Sequence, residues 1–261
     1  QVQVMKLEDR DTFFLDLDKT VWNWDSPVIG AQDLIDTLRE KDRDVYFHTD
    51  NNLLSREGYA KKLSSMNIPA EEDDIITSGY VTAQILADRN INSVYVIGEQ
   101  GLIDELEKED IKISQDADTV VVGLDRQFNY EKLRKAMKIL KEGGNLIKTS
   151  TEKTFRKSSG ERPHQEPINR ALETYTENVE MTGKPSQAFR DEFRNYFTYI
   201  PTGSVFIGDR IADIKTGKQL GMMTGVVMSG DATREKLARV DEEKEPDFGL
   251  SNLNRLKRKL I

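Results

Sequence analysis

Along the 261 residues, short runs of β-branched and aromatic side chains alternate with longer stretches whose apolar positions recur every three or four residues. The short runs read as strands: 12–15, 45–48, 93–97, 119–123, 145–147, 204–207 and 224–227. The longer stretches read as amphipathic helices: 31–40, 55–66, 79–88, 101–109, 130–141, 187–198 and 210–219. Runs such as TVVV and SVFI carry no polar alternation, which is expected of strands buried on both faces of a parallel sheet. Repeated strand–helix units of this kind predict an α/β fold built on a parallel sheet. Stripes such as Leu133, Met137 and Leu140 read as core-facing surface rather than as a cofactor site. One stretch, 149–167 (TSTEKTFRKSSGERPHQEP), shows neither period and reads as a long loop; loops of that length tend to be functional.

Composition narrows the function. With 38 basic and 46 acidic residues the chain carries a net charge of −8, which argues against a broad nucleic-acid-binding surface. No apolar stretch approaches the length needed to span a bilayer and no secretory leader pattern appears, so a soluble, cytoplasmic protein is expected, with neither nucleic acid nor membrane as partner. There is no cysteine and there are two histidines, which leaves oxygen as the expected donor to any metal. Gln1–Val4 precede the first methionine, Met5, which is expected to be the natural start; they are assigned no function.

The candidate chemistry lies at the carboxyl ends of the expected strands, the rim at which open parallel sheets bind ligands. The first strand runs out into Asp16 and Asp18, followed by Lys19 and Thr20. Two neighbouring carboxyl groups can divide into a nucleophile and a proton donor when their surroundings differ. The second strand ends at Thr49, followed by Asp50, Asn51 and Asn52, small hydrogen-bonding groups among which the Thr49 hydroxyl can donate to a phosphate oxygen. Lys184 stands between Gly183 and Pro185 just before a helix, where anions are favoured. A later apolar run ends in Gly208 and Asp209, with Asp213 four residues on, a spacing suited to a hard, oxygen-ligated cation.

In this order DLDKT, HTDNN, GKPS and GDRIAD resemble the four motifs of the haloacid dehalogenase-like phosphatases. SVYVIGEQGLIDEL, TVVVGLDRQFNYEKL and MMTGVVMSGDATREKL extend the resemblance over most of the chain, toward the branch of 4-nitrophenylphosphatases, phosphoglycolate phosphatases and NagD-type nucleotide phosphatases. The resemblance implies a Rossmann-like parallel-sheet core, 1–77 with 183–261, interrupted by an inserted α/β cap domain, 78–182. It implies a magnesium-dependent phosphatase of small phosphomonoesters, with Asp16 as nucleophile and Asp18 as general acid and base. Thr49, Asn51 and Lys184 would bind the phosphoryl oxygens. Mg2+ would be held by Asp16, the Asp18 carbonyl, Asp209 and Asp213. The expected partners are a small phosphorylated metabolite and a second copy of the chain, docked through the cap.

The chain also departs from the family pattern. Lys19 and Asp50 stand where relatives usually carry glycine and asparagine, and GDRIAD is one residue shorter than in the narrower branch. The 149–167 stretch differs most. Its surroundings are rich in Lys and Arg, so Arg156, Arg162 and His164 are expected to select substrates bearing a second anionic group. Two other readings use the same residues: a receiver-like phospho-binding module, and a catalytically weakened relative with a regulatory role.

Overall fold

A computed structural model describes residues 6–157, 160–198, 203–228, 232–237, 241 and 245–260; Gln1–Val4 and Met5 lie outside this set. Its elements divide into two compact units. One comprises Gln1–Thr49, Ala60–Ile75 and Arg194–Ile261; the other comprises Asp50–Tyr59 and Ile76–Phe193.

The first unit is built on a parallel sheet. In spatial order its strands are Phe248–Leu250, Met223–Val227, Val205–Gly208, Thr12–Asp16 and Asp44–Thr49, and of the edge strand Ile75–Thr77 this unit holds Ile75. Thr12–Asp16 is central, in parallel register with Val205–Gly208 on one side and Asp44–Thr49 on the other. All five of its residues are buried, as its unbroken apolar run requires. Helix Ala31–Glu40 buries Leu34, Ile35 and Leu38, the 3.6-residue stripe read from the sequence. Each such aliphatic side chain contributes about 1.5–3 kcal/mol on full burial.

The second unit carries its own parallel sheet, ordered Val179–Met181, Asn145–Lys148, Thr119–Val122, Ser93–Ile97 and Lys112–Ile113. Helix Tyr130–Lys141 begins where the Asn129 side chain accepts the Lys132 N–H, and it packs Ala136, Ile139 and Leu140 onto Val120 and Val122. Leu133 joins this cluster from its partly buried edge.

The alternating pattern predicted these principal strands and helices to within a few residues. Within 149–167, expected as one long loop, Thr154–Lys157 and Gly160–Pro163 instead pair antiparallel, and a helix, Glu166–Glu173, starts inside the stretch. A two-stranded ribbon needs no continuous apolar run, so four-residue strands rich in charge left no period to read. The short strands Ile75–Thr77, Lys112–Ile113, Val179–Met181 and Phe248–Leu250 and the helix Leu253–Leu260 also escaped.

Candidate active site

In the first unit, the acids predicted from separate motifs meet at one end of the sheet. Asp16 closes its strand, buried, and stands in register with His48 of the neighbouring strand. Its Oδ1 lies 3.5 Å from His48 Nδ1, while the imidazole stacks on Phe206 with ring centres 3.9 Å apart. Asp209 follows Val205–Gly208 and is also buried. Asp213 lies in the first turn of helix Ile211–Gln219, where its Oδ2 accepts the Arg210 N–H at 3.0 Å. Gly208 makes room for that carboxylate: a Cβ at Gly208 would sit 2.3 Å from Asp213 Oδ2. Asp16, His48 and Asp213 each offer a ligand atom, all within 4.8 Å of one another. Thr49, buried, ends the adjoining strand.

These carboxylates crowd one another. Burial above all, and then the charges of Asp16 and Asp213, push the Asp209 carboxyl well above the ordinary aspartate range, against the opposing pull of Arg210 and Lys19. The cations stand at the loose end of ion-pair distance: Lys19 Nζ is 3.9 Å from Asp209 Oδ2, and Arg210 reaches Asp209 at 3.9 Å and Asp213 at 3.7 Å. Converging buried oxygen donors under mutual repulsion are a donor set that fits a small, hard divalent cation.

Asp18 is half-buried and differently held. Its Oδ1 accepts the Trp22 indole N–H at 3.0 Å, and Lys62 Nζ lies 4.2 Å from the Trp22 ring centre. Burial is the main influence lowering the Lys62 pKa, partly offset by the charges of Asp18 and Asp25. Asp16 and Asp18 thus occupy the contrasting environments that a division of roles needs.

In the second unit, Asn51 Oδ1 accepts the Leu53 N–H at 3.0 Å and its carbonyl accepts the Tyr59 hydroxyl at 2.9 Å, which fixes the turn. Asp50 turns its carboxylate to the main chain of the lysine motif: its Oδ1 accepts the Lys184 N–H at 3.0 Å. Lys184 is buried. Gly183 is required beside it, because a Cβ there would lie 2.0 Å from the Thr149 carbonyl oxygen. The helix that follows, Gln187–Tyr196, is preceded by Ser186, whose Oγ accepts the Phe189 N–H at 3.0 Å. Pro185 therefore stands ahead of the cap rather than in the first helical turn.

Arg162 and His164 are brought together. They line one cavity of about 580 Å3 in the second unit, with Phe128, Phe155 and Arg126 on its wall. Arg162 is exposed, whereas His164 is buried edge-on to Phe155 with ring centres 5.9 Å apart. The ribbon pairs Arg162 with Phe155 and Arg156 with Glu161; the Arg156 side chain lies outside the described residues. Sequence reasoning passed over His48, Trp22 and Lys62. For His48 the signal was faint, because only the parallel register shows that it stands opposite Asp16.

With this geometry in hand, the comparisons with known proteins are direct. Family models match residues 13–112 (haloacid dehalogenase-like hydrolase) and 181–256 (HAD-hydrolase-like). The chain is 30% identical to sugar-phosphatase AraL of Bacillus subtilis, over 84% of this chain and 83% of that protein. It is 28% identical to chloroplastic phosphoglycolate phosphatase 1A of Arabidopsis thaliana, over 95% and 76%. A crystal structure of 4-nitrophenylphosphatase from Thermotoga maritima superposes with a TM-score of 0.87 at 30% identity, covering 98% of this chain and 99% of that one. The fold and its rim of acids thus define a class, and the chain belongs to the haloacid dehalogenase-like hydrolases. Within that class it is an enzyme, a phosphoric monoester hydrolase. Among the described residues no helix is long and apolar enough to cross a membrane.

Proposed function

We propose that the protein is a magnesium-dependent phosphatase of small phosphomonoesters that works through an aspartyl phosphate. The observation that carries this reading is the gathering of buried acids at the carboxyl end of one parallel sheet: Asp16 and Asp213, with His48, offer ligand atoms within 4.8 Å of one another, and the charges of Asp16 and Asp213 bear on the buried Asp209. Asp16, Asp209, Asp213 and the Asp18 carbonyl would hold the cation, which would supply positive charge to offset that of the nucleophile and the phosphoryl group. The Asp16 carboxylate attacks phosphorus, forming one P–O bond as the ester P–O bond breaks, and Asp18 gives its proton to the departing alkoxide. Asp18 then takes a proton from water, whose oxygen attacks the same phosphorus; phosphate leaves and Asp16 is restored. Trp22 orients one Asp18 oxygen for both transfers. Thr49, Asn51 and Lys184 hold the phosphoryl oxygens and offset the charge that develops on them.

In this reading residues 1–77 and 183–261 form the catalytic core and 78–182 the cap. The second compact unit additionally includes 50–59, 76–77 and 183–193. The substrate is a small phosphorylated metabolite. Phosphoglycolate and sugar or nucleotide monophosphates are the candidates, by analogy with relatives named for phosphoglycolate and sugar phosphates. The cap cavity lined by Arg162 and His164 favours a substrate with a second anionic group. Assembly of two copies through the cap, in the cytoplasm, belongs to the same proposal.

The test is release of inorganic phosphate from 4-nitrophenyl phosphate. Turnover should require Mg2+ and fall away after chelation, and Ca2+, with its larger and looser shell, should support it poorly. Equal rates after exhaustive chelation would remove the metal from the mechanism.

A further inference from the structure

Lys19 occupies a backbone position that suits glycine. Its φ is +62°, in the left-handed region that a side chain makes unfavourable. The turn is held from both sides: the Lys19 N–H donates to the Trp22 carbonyl at 2.6 Å, and the Trp22 indole N–H holds Asp18. This conformation brings a largely covered lysine side chain to the carboxylate cluster, with Nζ 3.9 Å from Asp209 Oδ2. Arg210 approaches the same cluster from the start of helix Ile211–Gln219. Three buried acids are therefore faced by two internal cations, and Lys19 is the one held there by a left-handed backbone.

We propose that Lys19 is a resident counter-cation of the Asp209 cluster, which holds the carboxylates together in the metal-free protein and opposes the divalent cation that binds them. The inference rests on the metal-site reading given above. A fixed ammonium a few ångströms from a bound divalent ion repels it through a partly buried medium, where charges are weakly screened. The carboxylates are thus prevented from binding the cation as tightly as they otherwise would. The same ammonium relieves their mutual repulsion when no ion is present. Lys19 sets how much Mg2+ the enzyme needs and keeps the empty site folded.

The experiment is calorimetric titration of Mg2+ into the metal-free full-length protein, with thermal unfolding measured with and without Mg2+. Lys19→Met keeps the strained backbone and much of the side-chain length but removes the charge; Lys19→Gly removes both; Lys19→Arg keeps the charge. The Met and Gly variants should bind Mg2+ about tenfold more tightly than the parent, and the Arg variant should stay near parental affinity. Metal-free Lys19→Met should melt below the parent and regain more on Mg2+ addition than the parent does. Unchanged or weaker Mg2+ binding by both Met and Gly variants overturns the inference while leaving the metal site standing. Undiminished Mg2+ binding by Asp209→Asn overturns the metal-site reading itself, and the inference with it.

Discussion

The two units carry parallel sheets of the same construction whose carboxyl ends are finished in opposite ways. In the first unit Asp16, Asp209 and Asp213 converge, and like charge and burial together push Asp209 toward its protonated form. In the second, part of the rim is closed by neutral groups bonded to one another. Thr149 Oγ1 receives the Asn52 side-chain N–H at 2.8 Å and lies 3.0 Å from Gln165 Oε1. Gln165 Nε2 donates to the Val122 carbonyl at 2.7 Å, and Asn169 Nδ2 donates to the Ser150 carbonyl at 2.8 Å. A buried network whose members satisfy one another rigidifies; a cluster of buried acids holds charge in readiness for a ligand. The architecture supplies the rim in both units, and the side chains decide whether it reacts.

The hardest blow to this contrast is Asp16→Asn. The near-isosteric amide should leave the fold intact and reduce phosphate release by at least about a thousandfold. A smaller loss, measured on protein with a parental circular dichroism spectrum, would move the nucleophile elsewhere. Asp18→Asn should cost about a hundred- to ten-thousandfold, slowing both formation and breakdown of the aspartyl phosphate, as rapid-quench kinetics would resolve. An undiminished rate would separate Asp18 from proton transfer.

In the second unit the Arg162 cavity is expected to act on substrate choice. Arg162→Ala should lower kcat/KM for phosphoglycolate about tenfold relative to glycerol phosphate, the loss expected from one charge-assisted hydrogen bond. Equal losses on both substrates would show that the cavity does not select. The neutral rim predicts a purely structural phenotype. Thr149→Val keeps the shape but removes the acceptor of one Asn52 side-chain N–H, so denaturant unfolding should show about 1–3 kcal/mol of destabilisation with kcat unchanged. A collapse of kcat at parental stability would make that network part of the catalytic machinery.

The smallest effect concerns a buried acid outside both rims. Glu105 accepts the Arg56 main-chain N–H at 2.5 Å, yet burial outweighs the Arg56 and Lys108 charges and raises its pKa. An acid with a raised folded-state pKa stabilises the fold fully below its unfolded pKa, and this contribution is lost as pH rises through the folded value. Glu105→Gln should therefore gain stability relative to the parent between acid and neutral pH. Unfolding curves at several pH values would show the gap moving in that direction, and a gap moving the other way would reverse the sign assigned to burial.

Sequence by itself determined the α/β class, the order of the main strands and helices, and the acids at the ends of 12–16 and 205–208. Unbroken apolar runs and helical stripes follow from burial, and burial is written locally in which residues avoid water. The charged strands Thr154–Lys157 and Gly160–Pro163 escaped because a two-stranded pair needs no continuous apolar run. Only the tertiary structure decided that His48 stands opposite Asp16, that Trp22 holds Asp18, that Asp50 turns its charge to the Lys184 main chain, and that Lys19 reaches Asp209. Each depends on register between strands or on the path of a turn. Those arise from contacts between residues up to 190 positions apart, as with Lys19 and Asp209, which no local pattern of hydrophobic and polar positions encodes.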